Sequence, residues 1–354
     1  MDADAPGAKP MYFNFLTVMA FHAYMSEGVE AAIIECGIGG RYDVTNVIQQ
    51  PVVTGITNLE LDHVHVLGKT LPEIAWQKAG IMKKSAKCFT TGTQPPDAKE
   101  VLERCAAEVG TELVYVDVDP RIQSGEVELG LEAEFQKVNA SLAAAIAREW
   151  LTQRGFADCD DFNSKVDQGL RDVKWSGRCE TRREGNLTWY IDGGHTLTSI
   201  QLAGQWYAGT QQEKNPSPHS KRYLIFNQQT RDASSLARAL HETLSKILGS
   251  SSPFSNVIFC TNTTYKETGY KADLVSINTN AGDVADMKVQ KDLAEMWTQL
   301  DPKADVSVVK TIEEAIQATR QAASENQGKI SALVTGSLHL VGGFLEVLES
   351  QSHP

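Results

Sequence analysis

The chain has 354 residues, 42% of them hydrophobic, enough for about two domains that each bury a core. Its formal net charge of -12 argues against nucleic acid or an anionic membrane as the main partner. The six cysteines contain no C-x-x-C pair, and no apolar run reaches the about 20 residues of a membrane helix. We therefore expect a cytoplasmic protein with reduced thiols that acts on small molecules.

The first half of the chain alternates between helical and strand-like patterns. Residues 13–28 predict an amphipathic helix, and we assign its apolar stripe from Phe13 to Phe21 to the core and not to an aromatic binding platform. Strands are predicted at 31–38, 51–59, 87–92 and 112–118, and helices at 71–82, 96–110, 132–151 and 162–173. This alternation indicates βαβ units around a parallel sheet.

The alternation is interrupted at WSGRCETRREGN, which we interpret as a charged link, and it restarts afterwards. Strands are predicted at 187–195, 221–229, 255–261 and 331–337, and helices at 196–208, 232–248, 311–325 and 339–350. Residues 211–220 and 261–286, rich in Asn, Ser and Gly, are predicted surface loops. We place the boundary near Gly185, which gives two α/β domains at 1–185 and 186–354.

Charged side chains stand where predicted strands end, the edge at which parallel sheets bind ligands. Glu35 ends one strand and is followed by a G-x-G-G turn that lets the backbone approach a phosphate or metal. Glu35 could instead only cap that turn. The glycines also suggest a dinucleotide fold, but the third glycine and the later acidic residue are missing. Asp62 and His63 end the next strand, where the carboxylate could orient the imidazole or form a plain surface pair.

A lysine follows on the helix predicted at 71–82. Lys78 shares this helix with apolar residues and could point into a site, although a lysine that extends to solvent from an apolar face is the common alternative. The nearby Gly68-Lys69-Thr70 imitates the end of a phosphate-binding loop, but His63 stands where the leading glycine belongs. We therefore reject this match.

Seven motifs occur in an order that resembles the Mur ligase superfamily and, within it, folylpolyglutamate synthases of eukaryotic type. They are ECGIGGRYDVTN, TNLELDHVHVLG, QKAGI, FQKVNASLA, WSGR, YIDGGHT and VTGSLHLVGG. The resemblance extends from Phe13 to about Leu348. It implies a central ATPase domain with a mostly parallel sheet and flanking helices, followed by a Rossmann-like C-terminal domain.

The resemblance also implies a reaction. Members of this family use ATP and magnesium to add glutamate to the γ-carboxylate of tetrahydrofolate and its polyglutamates, through an acyl phosphate. The implied partners are these small molecules, and we expect a monomer in the cytoplasm, with a mitochondrial form.

Matching the motifs residue by residue implies roles for the candidates. Glu35 and His63 match magnesium ligands, and Lys78 matches a carbamylated lysine that serves the second of two magnesium ions. Asn139 and Arg178 match nucleotide-contacting positions, with Arg178 reaching the phosphates.

The remaining matches fall in the second predicted domain. Asp192 and His195 match residues that close over the nucleotide and the incoming glutamate, and Ser337 is a candidate for holding that amino acid. The alternatives are plain structural roles: a helix hydrogen bond for Asn139, a solvated charge for Arg178, and a turn for Asp192 and His195.

Some features depart from the family pattern. The sequence contains no G-x-x-x-x-G-K-[ST] loop, and only about a dozen residues precede the first helix, so we expect an N-terminally shortened form. Gly194 stands where alanine is expected, which should loosen its turn, and the segment from Asp119 to Leu131 is short. The competing hypotheses are a non-catalytic remnant or binding protein, a dihydrofolate synthase and a cell-wall Mur ligase.

Overall fold

The computed structural model describes residues 10–156, 161–211, 219–229, 231–266 and 287–350. The chain divides into two compact units, Met1–Leu129 with Gln136–Arg171 and Gly130–Phe135 with Asp172–Pro354. Gly185, the predicted boundary, lies in a hairpin turn inside the second unit. The division by contacts therefore falls near Arg171, earlier in the chain than the predicted limit at 185.

The first unit contains a three-stranded parallel sheet in the order β1-β2-β3. Its strands are β1 (Thr54–Ile56), β2 (Cys88–Thr91) and β3 (Leu113–Val116). Its helices are α1 (Tyr12–Glu27), α2 (Val64–Leu67), α3 (Leu71–Ala79), α4 (Pro96–Val109), α5 (Pro120–Ser124), α6 (Glu134–Gln153) and α7 (Phe162–Asp172), with a 3-10 turn at Val44–Val47. The core forms where Ile56 and Cys88 of the sheet pack against Ala75 of α3 and Leu102 of α4.

Two predictions for this unit are wrong. Residues 31–38 form no strand, and Ile33 is 98% exposed. The apolar stripe of α1 is not core, because Phe13 is 42% exposed and Phe21 is only half-buried. A pattern of apolar residues shows that a face favours burial, but burial also requires an element that packs on it. The described residues beside this face, Ile34 and Thr45 among them, leave a cavity against it instead of a packed core.

The second unit contains a six-stranded sheet in the order β4-β5-β9-β6-β7-β8, parallel except for the β4–β5 hairpin. Its strands are β4 (Glu180–Glu184), β5 (Leu187–Ile191), β6 (Lys221–Phe226), β7 (Asn256–Cys260), β8 (Asp305–Val309) and β9 (Ile330–Thr335). Its helices are α8 (Leu197–Thr210), α9 (Ala233–Leu248), α10 (Lys288–Leu300), α11 (Ile312–Glu325) and α12 (Leu338–Ser350).

Helices cover both faces of this sheet, since successive side chains of a strand point to opposite faces. On β5, Trp189 packs in the cluster with α11 and α12, and its ring meets Phe344 edge to face with centroids 5.1 Å apart. The neighbouring Tyr190 packs on the other side, against Trp206 and Tyr207 of α8. The second unit therefore has a complete two-sided core.

The fold class predicted from the sequence is confirmed as α/β with mostly parallel sheets. Three elements of the second unit differ from prediction: the charged stretch before Gly185 is a strand, β4, and α10 and β8 were not predicted. The predicted loops at 211–220 and 261–286 fall largely outside the described residues. Among the helices that the structure describes, none is both long enough and apolar enough to span a membrane.

Candidate active site

The turn after Glu35 is held by a side chain to which the sequence analysis gave no role. One carboxylate oxygen of Asp43 accepts hydrogen bonds from the N–H groups of Gly37 and Ile38, each 3.0 Å long. Its other oxygen accepts from the N–H of Thr45 at 3.0 Å and from the Thr45 hydroxyl at 2.6 Å, which caps the 3-10 turn. Asp43 thus joins both ends of the loop.

The environment of Asp43 favours the ionised carboxylate. Burial alone would raise the pKa of this carboxyl, but the hydrogen bonds from Thr45, Ile38 and Gly37 outweigh it and lower the pKa. The loop is therefore organised around a fixed negative charge.

Three elements meet at the glycines of this loop. A Cβ on Gly39 would lie 2.7 Å from the Leu67 side chain of α2, and a Cβ on Gly40 would lie 3.0 Å from the carbonyl oxygen of Lys78 at the end of α3. The N–H of Arg41 donates to the Gln77 carbonyl at 2.7 Å. Glycine is required here because the backbones approach closely.

The predicted metal ligands lie on these same elements. Glu35 is exposed and lines a cavity of about 200 Å³ with Phe13 and Thr45. His63 has left-handed backbone (φ 50°), and its Nε2 lies 3.6 Å from the Asp62 carboxylate. The Lys78 side chain is half-buried on α3. The structure describes no cluster of three or more His, Cys, Asp or Glu side chains fit to hold a metal ion, so the set of Glu35, His63 and Lys78 stays a prediction.

Asn139 lies on α6, and its Nδ2 donates to the side-chain oxygen of Gln136 one turn earlier, at 3.0 Å. This is the bond along the helix that the alternative interpretation describes. A contact from Asn139 to a nucleotide stays a prediction.

Asp192 is the central group of the second unit's candidate residues. It follows β5, is 4% exposed, and accepts from the N–H of Cys179 at 3.0 Å and from the N–H of Gly194 at 2.9 Å. Burial raises the pKa of the Asp192 carboxyl, while these hydrogen bonds and the Arg178 charge act in the opposite direction. Asp192 therefore joins the WSGR turn to the DGGHT turn.

Arg178 is brought close to this second turn by the backbone. The N–H of Gly193 donates to the carbonyl of Gly177 at 2.9 Å, and a Cβ on Gly193 would lie 2.9 Å from a guanidinium nitrogen of Arg178. WSGR and DGGHT thus form one structure within the second unit.

His195 is oriented by the backbone. Its Nδ1 lies 2.8 Å from the carbonyl oxygen of Gly193, and its N–H donates to Ser199 Oγ at 2.9 Å. Since a carbonyl oxygen only accepts, Nδ1 carries the proton of the neutral ring and Nε2 presents a lone pair. In this tautomer Nε2 is the ring nitrogen that can accept a proton.

Gly194 does not loosen its turn. Its N–H is bonded to Asp192, and its carbonyl accepts from the N–H of Gly336 at 3.1 Å. A Cβ here would lie 2.9 Å from the carbonyl oxygen of Ser199, so the alanine expected from the family pattern would need the backbone to shift.

Ser337 is 6% exposed, and its Oγ accepts from the N–H groups of His339 at 3.1 Å and Leu340 at 3.4 Å. It therefore caps the first turn of α12. Ser337 follows β9 and His195 follows β5, and these strands are neighbours in the sheet. Both side chains therefore stand at the carboxyl edge of the sheet.

Two residues of the loop after Glu35 that were not predicted as site residues have recognisable signals in the sequence. Asp43 precedes Val-Thr at the start of a turn, a pattern typical of a capping residue. Arg41 lies in the same motif, and its guanidinium stacks 3.9 Å from the centre of the Trp76 ring. Both residues hold the loop in place. A search for charged side chains at the ends of predicted strands does not find them, because they lie inside the loop.

Comparison with known proteins places these motifs in context. No protein-family model matches the chain. The chain is 45% identical over 349 residues to folylpolyglutamate synthase of Neurospora crassa, and this alignment covers 97% of this chain and 65% of that protein. It is 41% identical over 352 residues to the folylpolyglutamate synthase of Saccharomyces cerevisiae AWRI796, and this alignment covers 97% of this chain and 62% of that protein.

The fold also has a solved counterpart. Folylpolyglutamate synthase of Mycobacterium tuberculosis, solved with ADP and AMPPCP, matches with a TM-score of 0.69 and 24% identity over 95% of this chain and 72% of that one. The chain therefore shares the α/β fold of that solved structure.

The chain is a homologue of the folylpolyglutamate synthases, and its resemblance to them is confirmed. It spans less than two thirds of the length of both fungal relatives.

Proposed function

We propose that the protein is an ATP- and Mg²⁺-dependent ligase that adds L-glutamate to the γ-carboxylate of tetrahydrofolate and its polyglutamates. The observation that carries this proposal is the 45% identity to a folylpolyglutamate synthase over 97% of the chain. Action as a monomer on these small molecules, in the cytoplasm with a mitochondrial form, is part of the same proposal.

The reaction has two steps. The tail carboxylate attacks the γ-phosphorus of ATP and releases ADP, which leaves an acyl phosphate. The amine of L-glutamate then attacks the carbonyl carbon, the bond to phosphate breaks, and the nitrogen loses its extra protons as the amide forms. Activation is needed because a carboxylate is a poor electrophile, and orientation of both reactants supplies much of the rate.

Residues of the second unit are suited to this chemistry. Nε2 of His195 presents a lone pair that can take a proton from the attacking amine. Arg178 supplies a cation for the phosphoryl group. Asp192 keeps both turns in place through the N–H groups of Cys179 and Gly194.

Residues of the first unit fit a magnesium site in their chemistry. The exposed carboxylate of Glu35 is the oxygen ligand that Mg²⁺ prefers. The Nε2 of His63 lies 3.6 Å from the Asp62 carboxylate. No described residue holds the Lys78 side chain in a hydrogen bond or ion pair, so its amine, once it has lost a proton, can react with CO₂. In the proposal Glu35, His63 and the carbamate of Lys78 hold the metal. When bound, Mg²⁺ neutralises phosphate charge.

The test is ATP-dependent extension of tetrahydrofolate diglutamate by the purified chain, followed by mass spectrometry. We expect one added glutamate per ADP released, and about a hundredfold or greater loss of rate for His195→Ala, the range for removal of a general base. His219→Ala is the control, because His219 lies before the start of β6, at the opposite edge of the sheet.

Three outcomes would contradict the proposal. Absence of any extended product would favour the non-catalytic alternative, and acceptance of dihydropteroate in preference to tetrahydrofolate would indicate a dihydrofolate synthase. Extension by His195→Ala at the wild-type rate would remove His195 from the mechanism.

A further inference from the structure

Four side-chain amides form a continuous chain of hydrogen bonds at the carboxyl edge of the second unit's sheet. Gln290 Nε2 donates to Asn227 Oδ1 at 2.7 Å, and Asn227 Nδ2 donates to Asn262 Oδ1 at 2.7 Å. Asn262 Nδ2 then donates to Gln229 Oε1 at 3.4 Å. We call Gln290, Asn227, Asn262 and Gln229 the amide chain.

The amide chain has a direction. In each of the three bonds the nitrogen of one amide donates to the oxygen of the next, so the dipoles align and strengthen one another. The buried end is the oxygen of Gln290, a fully buried residue whose Oε1 has no hydrogen-bond partner in the described structure. The other end is the NH₂ group of the half-buried Gln229, for which the described residues provide no acceptor. The amide chain therefore presents two polarised N–H donors, both on Gln229, at its outer end.

Burial of polar groups is costly because they give up hydrogen bonds to water; the bonds along the amide chain offset this cost, but not at the Gln290 oxygen. Asn227 is fully buried, and its carbonyl oxygen would lie 2.7 Å from a Cβ on Gly336, whose φ is 110°. Position 336 therefore requires glycine, because a Cβ there would prevent the loop after β9 from lying against the backbone of Asn227. The amide chain is built into the edge of the sheet.

Backbone contacts connect the amide chain to the candidate active-site turns. Gln228, the residue before Gln229, donates from its side chain to the carbonyl of Gly336 at 2.8 Å. The N–H of Gly336 donates to the carbonyl of Gly194, beside His195. Since β5, β9 and β6 are consecutive in the sheet, with strands about 4.8 Å apart, Gln229 follows β6 at the same carboxyl edge as Ser337 and His195.

We propose that the NH₂ group of Gln229 binds a carboxylate of the incoming amino acid, and that the other three amides are positioning residues that keep this group turned outward as a donor. The inference rests on the proposed function and adds residues to the amino-acid site. Oriented N–H donors are the usual partners of a carboxylate, and hydrogen bonds to a charged group are among the stronger ones.

The test replaces the donor by an acceptor of the same shape. Gln229→Glu places a carboxylate where the substrate carboxylate would bind. We expect the KM for L-glutamate and its Kd, measured by calorimetry with AMPPCP and tetrahydrofolate, to rise about tenfold or more, while the KM for ATP stays unchanged. The control is Gln317→Glu, which adds the same charge to an exposed position of α11.

A second variant tests the positioning role. Gln290→Met keeps the volume but removes the donor to Asn227, so we expect a higher KM for L-glutamate with little change in kcat. A lower melting temperature with an unchanged KM for L-glutamate would show that Gln290 is only structural, and this result would overturn the positioning part of the proposal.

The outcomes separate the two proposals. If the wild-type chain neither binds nor adds L-glutamate, the proposed function fails and this inference fails with it. If the wild type binds L-glutamate and Gln229→Glu binds it equally well or more tightly, the proposed function stands and the role of Gln229 is refuted.

Discussion

Replacing Asp43 by asparagine tests how firmly the loop after Glu35 is held. The oxygen of the introduced amide can still accept from Thr45, but its NH₂ group would face the N–H groups of Gly37 and Ile38. Two hydrogen bonds of 3.0 Å to a carboxylate are then lost. The perturbation changes the loop without changing its volume.

The magnitude follows from those two bonds. Hydrogen bonds to a charged group contribute about 1.5–3 kcal/mol each, and water replaces part of this loss at a half-buried position, so we expect about 2 kcal/mol for Asp43→Asn. That energy corresponds to about a 30-fold larger equilibrium constant for opening the loop. Because the pKa of Asp43 is lowered in the folded protein, this stabilisation is present above the ordinary carboxyl pKa and is lost as the pH falls through the lowered value.

Hydrogen exchange measured by mass spectrometry is the assay. We expect peptides that contain residues 37–45 to exchange about 30-fold faster in Asp43→Asn at neutral pH, with no change in peptides of the second unit. Asp97→Asn, at an exposed position in the first turn of α4, is the matched control. Unchanged exchange in the 37–45 peptides would refute the role of the Asp43 carboxylate in holding this loop.

Two further predictions concern the stability of the second unit. Phe344→Ala removes a fully buried ring that packs on Trp189. We expect urea unfolding followed by circular dichroism to show that the unfolding free energy falls by about 3–5 kcal/mol, and by under about 1 kcal/mol for the control Ile247→Ala at an exposed position. Equal losses in the two variants would contradict this packing. His241 is buried with Nε2 3.9 Å from Asp301, and burial lowers its pKa below the ordinary 6.5, although Asp301 opposes this. The unfolded state then binds the proton more tightly, so the contribution of His241 to the unfolding free energy should be fully present above pH 6.5 and be lost as the pH falls below it. His241→Gln should make thermal unfolding less dependent on pH in this range. An equal pH dependence in both proteins would count against His241.

The sequence predicted most of the second unit because its strands are apolar and its helices are strongly periodic. β6, β7 and β9 are continuous apolar runs between helices, as expected for buried parallel strands. β4 was missed because it reads as a run of charges, yet an edge strand needs only one neighbour and pairs with β5 through the Gly185-Asn186 turn. α10 and β8 carry more polar residues and follow a long irregular stretch, so their helical and strand patterns were not recognised in the sequence.

The candidate site was predictable only in part. Asp192, His195 and Ser337 were proposed from the motif resemblance and not from strand-end chemistry, and the structure brings all three to one edge of the sheet. Asp43 and the amide chain were missed because their partners are backbone groups or distant amides. A sequence does not show which side chains will meet once the strands have paired.

The exposed side of α1 affects how the protein can be handled. Phe15, Val18 and Met19 lie more than half exposed or close to it on this helix, and Ile33 is almost wholly exposed nearby in the same unit. Apolar surface of this kind binds hydrophobic dyes and promotes self-association when protein is concentrated. Dye fluorescence and light scattering would therefore respond to this apolar surface in the folded protein, so a raised dye signal from a purified sample is compatible with a native core.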